Sequence, residues 1–192
     1  MVSLNAWKHR LYIALLLGAA SLHAAVAAPI LSATATPVPA ILGATVGLDV
    51  SITDITDLYG YQFTLLFDPA LLQASVGTEG VFLATGGSTY FGAGTNDNVA
   101  GSISGVFNTL IGSVPGVSGS GVLAHFDFSV IGVGRNLFSF SDVQFLNSAF
   151  ADLAPQAASV ALQTASVPEP SVYYLLGIGL AGLTVLRRRK FH

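Results

Sequence analysis

The sequence predicts an all-β sandwich. Two long stretches alternate apolar and polar side chains at the period of extended backbone, and the segments around them are short and rich in Gly, Ser, Asn and Pro. No helical period persists through the middle of the chain, which leaves packed sheets as the way to bury its apolar residues.

The first of these stretches is Gly60 to Phe67. Tyr61, Phe63, Leu65 and Phe67 share one side, and Gln62, Thr64 and Leu66 the other, because successive side chains of a strand point to opposite faces. Burying the four large groups contributes about 6 to 12 kcal/mol, at roughly 1.5 to 3 each, so this strand is a spine of the core. Asp68-Pro69 ends it: Pro69 has no N–H for a ladder, and Asp68 can accept from the amides that follow. Asp68 to Leu72 therefore reads as one helical turn that folds Leu71 and Leu72 back onto the core.

Before the spine, Ile30 to Thr36 reads as an edge strand ending at Pro37 and Pro39. Thr45 to Thr53 alternates Val46, Leu48, Val50 and Ile52 inward with Gly47, Asp49 and Ser51 outward, and Asp54 to Asp57 reads as the turn into the spine. After it, Ala74 to Val76 and Gly80 to Leu83 are short apolar pieces, and Ala84 to Asn98 is a loop carrying Tyr90 and Phe91. Ser102 to Ile111 is a strand and Gly112 to Gly121 a flexible connection. In the second long stretch, Val122, Ala124, Phe126, Phe128 and Val130 alternate with Leu123, His125, Asp127, Ser129 and Ile131. Leu137 to Phe140 and Val143 to Leu146 read as two short strands, and Ser159 to Gln163 closes the domain.

Charge is distributed unevenly over the 192 residues. Charged side chains make up 9%, far below the roughly 25% of an ordinary soluble domain. Lys8 and Arg10 lie near the start, and Arg187, Arg188, Arg189 and Lys190 near the end, so Arg135 is the lone basic residue between them. Asp49, Asp54, Asp57, Asp68, Glu79, Asp97, Asp127, Asp142 and Asp152 against Arg135 give this middle region a formal charge of −8. A surface of that sign argues against nucleic acid as a partner. The chain has no cysteine, which removes thiol nucleophiles and thiolate metal sites.

The two ends read as address labels. Lys8, His9 and Arg10 precede the apolar run Leu11 to Ala20, and Ala25 and Ala27 follow at the spacing of a signal-peptidase site. Residues 1–27 are thus expected to be a signal peptide with a helical apolar core, leaving Ala28 as the mature start, and 28–165 to be the sandwich. At the other end Val167, Pro168, Glu169 and Pro170 precede an apolar run from Val172 to Leu186 and then the basic cluster Arg187, Arg188, Arg189 and Lys190. Fifteen helical residues span about 22 Å, short of a bilayer core of roughly 30 Å, a gap that tyrosines and snorkelling arginines can close. The basic residues would stay on the cytoplasmic side and the sandwich outside.

Two resemblances follow. The alternating strand at Val46 to Ile52, the run Leu58-Tyr59-Gly60-Tyr61-Gln62-Phe63 into Phe67-Asp68-Pro69-Ala70-Leu71-Leu72, the Gly121-Val122-Leu123-Ala124 opening of a long strand and a closing strand near Val160 together resemble a cohesin domain. That likeness covers about Ile30 to Gln163 and implies a jelly-roll sandwich of about nine strands, related in fold to several carbohydrate-binding modules. It also implies that the outward side of the spine binds a dockerin-like protein, with contact positions at Gly60, which has no side chain to offer, and Gln62. Residues 166–192, a Pro-Glu-Pro element with a short span at 172–186 and a basic tail, resemble the PEP-CTERM sorting signal. That signal implies an exosortase-like processing enzyme, a transient stay in the inner membrane of a Gram-negative bacterium, cleavage near Pro168 to Ser171, and delivery to the cell surface or the extracellular polysaccharide matrix.

Candidate site residues follow from the outward faces of the two long strands: Gln62, Thr64, His125 and Asp127 for a protein partner, and Tyr90 and Phe91 as rings that could stack on sugars. His125, Asp127 and Ser129 do not read as a catalytic triad, because they point in parallel from one strand about 6 to 7 Å apart. Asp97 and Asn98 are weak calcium candidates in an Asn/Asp turn without the spacing of an EF-hand, and no cofactor is otherwise expected. Glu79 is the only glutamate in the sandwich, and no acid/base pair for glycoside hydrolysis is identifiable. The sequence thus describes a non-catalytic exported module that binds a protein or, alternatively, extracellular polysaccharide.

Overall fold

A computed structural model describes residues 28–167. The expected signal peptide and the sorting tail from Pro168 onward, including its apolar span, lie outside the described residues. Within them the chain forms β1 (Ile30–Thr36), β2 (Ala40–Ile41), β3 (Thr45–Leu66), β4 (Leu72–Ala74), β5 (Thr78–Glu79), α1 (Val81–Ala84), β6 (Thr89–Gly92), β7 (Thr95–Asp97), β8 (Ser102–Leu110), β9 (Val117–Val130), β10 (Gly134–Asn147), β11 (Gln156–Ala157) and β12 (Val160–Ala165). The fold is the all-β sandwich that the alternation predicts. Its strand count exceeds the expected nine or so because five edge pieces, β2, β4, β5, β7 and β11, are two or three residues long.

One strand belongs to both layers. The first half of β3 pairs with β1 on one side and β9 on the other, and β9 pairs in turn with β4 and β5. Its second half lies between β8 and β10; β6 and β7 extend the sheet beyond β8, and β12 and β2 extend it from the start of β10. The crossing happens at Asp54 and Asp57, which the sequence reads as turn residues. They are instead bends within a 22-residue strand, both in the left-handed region (φ 56° and 58°). An aspartate tolerates that conformation better than most residues. The amides freed by each bend are recovered across the sheet: Asp54 N–H donates to Ser120 Oγ at 3.0 Å and Asp57 N–H to Ser118 Oγ at 2.9 Å.

The spine behaves as its pattern dictates. Phe63 and Leu65 have no exposure, Tyr61 3% and Phe67 6%, and they meet Phe126, Phe128, Phe138 and Phe145 in one core. Phe67 and Phe128 pack edge to face at 5.1 Å, as do Phe63 and Phe140 at 5.7 Å. The turn after the spine forms as expected, with Ala70 N–H donating to Asp68 Oδ1 at 2.8 Å and Leu72 N–H to the Asp68 carbonyl at 3.0 Å. Four further expectations are corrected. Val117 to Gly121, expected within a flexible connection, is the start of β9 and pairs with β3. Ala84 to Asn98 is not a plain loop, because β6 and β7 add to the free edge of β8. Gly80 to Leu83 leads into the one-turn helix α1. The two short strands around Asp142 are one, β10, interrupted by a bulge at Asp142 (φ 51°).

Candidate binding face

The second half of β3 is the centre of one outer face. Its neighbours bring Thr109 and Leu146 beside Gly60, and Phe107 and Gln144 beside Gln62. With no side chain, Gly60 leaves the backbone low, and together these six residues line a shallow depression of about 180 Å³. A Cβ on Gly60 would stand 3.2 Å from the Asn108 carbonyl and the Thr109 hydroxyl, a tight contact that would press on the floor. The rim is aromatic. Tyr90 on β6 is 63% exposed and its ring centre lies 5.6 Å from that of Phe107. Phe107 itself packs against Gly92, where a Cβ would come within 2.1 Å of the ring.

Of the predicted contact residues, Gln62 is exposed on this face. Thr64 is not: at 8% exposure it sits where β8 is bulged at Gly105 and β10 is out of register between Ser141 and Gln144. Tyr90 points outward, whereas Phe91, its neighbour in β6, turns inward and packs against the core, which removes it as a stacking ring. Phe107, Thr109, Gln144 and Leu146 carry no distinctive sequence signal. Their membership depends on register between strands far apart in the chain.

Beneath the face runs a polar seam. Asn108, 1% exposed, donates through Nδ2 to Glu79 Oε1 at 2.8 Å, and Thr89 Oγ1 donates to the same oxygen at 2.6 Å, tying β8, β5 and β6 together. Tyr61 O–H donates to the Leu123 carbonyl at 2.5 Å, and burial pushes its hydroxyl pKa upward. The depression itself is lined by amide, hydroxyl, aromatic and aliphatic groups without a formal charge. It can hydrogen-bond and pack against a ligand but holds no acid/base pair.

His125 and Asp127 belong to the opposite outer face, on the layer formed by β1, the first half of β3 and β9, so the structure does not join them to Gln62. His125 Nδ1 lies 2.6 Å from Asp49 Oδ1 and Nε2 lies 3.4 Å from Asp127 Oδ1. Both ring nitrogens face carboxylates, which leaves none for Ser129. The hydrogen bond with Asp49 is the chief reason the His125 pKa is raised. Asp49 is 76 positions away, so the sequence shows it only as one outward residue among others.

The calcium candidates are engaged internally. Asp97 Oδ1 accepts from Ala100 N–H at 2.8 Å and Val99 N–H at 2.9 Å, which holds its pKa low. Asn98 Oδ1 accepts from Ala74 N–H at 2.7 Å and its Nδ2 donates to the Ala74 carbonyl at 3.1 Å. These are the bonds of a turn docked on β4. Among the described residues no group of three or more His, Asp or Glu side chains is placed to hold a metal ion.

Comparison with known proteins agrees with this architecture. The second type II cohesin module of the ScaA scaffoldin of Acetivibrio cellulolyticus superposes with a TM-score of 0.58 at 17% identity, over 74% of this chain and 99% of that one. The sixth cohesin of scaffoldin B from the same organism, solved with a Cel5 dockerin mutant, gives 0.56 at 17% identity over 72% and 100%. A non-cellulosomal cohesin of the hyperthermophilic archaeon Archaeoglobus fulgidus gives 0.54 at 12% identity over 77% and 97%. No curated protein matches the chain. The PEP-CTERM protein-sorting motif matches residues 166–190. The cohesin domain matches residues 33–159, from within β1 to the threshold of β12, so that with two layers joined through β3 and an Asp-Pro turn closing the spine this chain belongs to the cohesin domain family.

Proposed function

We propose that the chain is a non-catalytic, exported module that binds a protein partner, dockerin-like or of the extracellular matrix, through the outer face of β10, β3, β8 and β6. The observation that carries this is the uncharged depression over Gly60, with amides at Gln62 and Gln144 on one side and the rings of Phe107 and Tyr90 on the other. Aromatic anchors beside a few hydrogen-bonding groups are what a protein-docking surface needs, and affinity follows such anchors more than area. The scaffoldin B cohesin of similar fold is itself bound to a dockerin. In this reading the tail is held in the inner membrane through 172–186, with Tyr173 and Tyr174 at the interface, and is cut near Pro168 to Ser171 by an exosortase-like enzyme. The domain then resides at the surface or in the polysaccharide matrix of a Gram-negative cell.

The test is affinity capture from the native secretome on immobilised 28–165. A protein is expected, and replacing Gln62 and Gln144 together by Ala should weaken its capture about ten-fold, at roughly 0.5 to 1.5 kcal/mol per lost hydrogen bond. Capture unaffected by that pair but lost with Asp49→Asn would move the site to the opposite face.

A second reading is polysaccharide binding, favoured by the exposed Tyr90 ring beside Phe107. Absence of binding on a glycan array and in polysaccharide pull-down, with Tyr90→Ala indistinguishable from the parent, would remove it.

A further inference from the structure

The two ends of the sandwich differ. At one end converge the segment around β2, the turn after the spine, the β9–β10 connection and the last residues of β12. Leu42 N–H donates to the Ala165 carbonyl at 2.8 Å, Gly43 N–H to the Val130 carbonyl at 2.8 Å, and Ile131 N–H to the Leu71 carbonyl at 2.8 Å. Apolar side chains stand out from these backbones: Val38 is 63% exposed, Leu42 38%, Ile131 50%, Val133 52% and Val167 57%. Five such residues stand around this pole, against Ile111 and Phe150 near the other, and apolar residues gathered in one place mark a contact surface more than the same residues scattered singly. Arg135, the only lysine or arginine in 28–167, follows this connection at the start of β10, paired with Gln163 of β12. Asp68 is the carboxylate beside the rim, and its Oδ1 already accepts from Ala70 N–H.

The chain leaves the sandwich at this pole. Ala165 is the last residue of β12, and Val172 lies five residues beyond Val167, a reach of at most about 17 Å when fully extended. A segment held in a bilayer from Val172 onward keeps the rim close to the lipid surface.

We infer that this pole is a membrane-resting surface: Val38, Leu42, Ile131 and Val133 enter the headgroup region of the bilayer that holds the tail, with Arg135 facing anionic headgroups. Apolar loop residues beside a cation are the pairing an interfacial contact uses, and a long arginine can cover apolar surface while its guanidinium stays at the headgroups. The contact fixes the sandwich upright on its tether. This inference rests on the reading of 172–186 as a membrane span, and the experiment separates the two.

The chain has no cysteine, so single cysteines can be placed at Val133, at Ser113 near the opposite pole, and at Gly177 in the tail. Each full-length variant carries an environment-sensitive fluorophore in vesicles of phosphatidylethanolamine and phosphatidylglycerol containing a nitroxide lipid. Quenching is expected at Val133→Cys and Gly177→Cys but not at Ser113→Cys, and adding Ile131→Asp should reduce the Val133→Cys signal to the Ser113→Cys level. Equal behaviour of Val133→Cys and Ser113→Cys, with Gly177→Cys quenched, overturns the inference and leaves the span standing. An unquenched Gly177→Cys overturns the span and the inference with it. Self-quenching at Val133→Cys that follows protein density and ignores the nitroxide shows a second copy on the pole, which also overturns it.

Discussion

Gly80 and Gly92 make a paired test of how rigid each part of the sandwich is. A Cβ added at Gly80 would come 2.3 Å from the Val122 carbonyl oxygen, and one at Gly92 would come 2.1 Å from the Phe107 ring. Distance alone ranks Gly92 as the worse site. The identity of the neighbour reverses the order. The obstacle at Gly80 is backbone of β9, held by the Gly80 N–H bond to the Leu123 carbonyl at 2.9 Å, so relief requires parting the strand from the chain entering α1. Overpacking of about 1 to 3 kcal/mol plus a hydrogen bond of about 0.5 to 1.5 gives roughly 2 to 4 kcal/mol for Gly80→Ala. At Gly92 the obstacle is the end of a side chain on the outer face, which can rotate at about 0.5 to 1.5 kcal/mol. Reduced freedom of the unfolded chain offsets about 0.4 to 1 of that, so Gly92→Ala should be within about 1 kcal/mol of the parent. Neither glycine has a positive φ, so backbone strain does not confound the comparison. Urea unfolding followed by fluorescence gives both numbers, with an unchanged slope as the check on two-state behaviour. Gly92→Ala proving the more destabilising would refute the argument. In the proposed binding reaction the order inverts again, since Gly92→Ala lifts Phe107 from its seat at the depression and should weaken partner capture.

Two further predictions concern titration. The His125 pKa is raised by Asp49, so its contribution is fully present below the unfolded value of about 6.5 and is lost as pH rises through the native value. Thermal unfolding of the parent should therefore lose a small increment as pH rises past about 6.5 that His125→Gln lacks, small because the imidazole is 39% exposed and screened. The Asp57 pKa is lowered, first by the hydrogen bond from Ser148, so its contribution is present above about pH 3.9 and lost as pH falls through the native value. Asp57→Asn should speed amide exchange at Gly116 and Ser148 at neutral pH, the two residues whose N–H groups the carboxylate holds at 2.9 and 3.3 Å; unchanged exchange would show that other contacts fix these loops.

Local features of the fold were legible because local physics makes them. Ile30–Thr36 is found where its pattern and the prolines after it put it, and the Asp68-Pro69 turn is closed by local bonds to the Asp68 carbonyl and carboxylate. The fusion of 45–53 with the spine was not legible. Whether Asp54 and Asp57 turn the chain or merely bend a strand depends on the Ser118 and Ser120 hydroxyls that receive their amides, more than sixty residues away. The same limit applies to the face. Alternation says that Gln62 points outward, but its company of Phe107 and Gln144 is decided by the register of β8 and β10. Thr64 shows the converse failure: the correct parity, yet a buried side chain, because both neighbouring strands depart from regular pairing beside it.

The proposed face and the proposed membrane contact are compatible only if the sandwich can use both at once, and the course of β3 bears on that. Its last residue, Leu66, lies toward the pole where the chain leaves, since Phe67 to Leu71 continue directly into the turn that meets Ile131. Gly60 lies six residues back from Leu66, about 20 Å at ~3.3 Å per residue, and Leu66 pairs with Ser139, itself short of the Gly134 end of β10 where β12 finishes, so the depression lies more than about 20 Å from that pole. The depression opens sideways, on a sheet surface that runs from pole to pole, while the apolar rim faces along the strands. A partner can therefore approach parallel to the bilayer while the rim rests on it. Severing the tail near Pro168 would free the pole without touching the face, because the cut lies beyond Ala165, the last residue of β12, and β12 pairs with Gly134 to Phe138 of β10 while Gln144 and Leu146 lie at the other end of that strand. Tethering and binding are separable in this architecture because one long strand carries the chain from the layer bearing His125 to the layer bearing Gln62, and the chain's exit lies at the end of both.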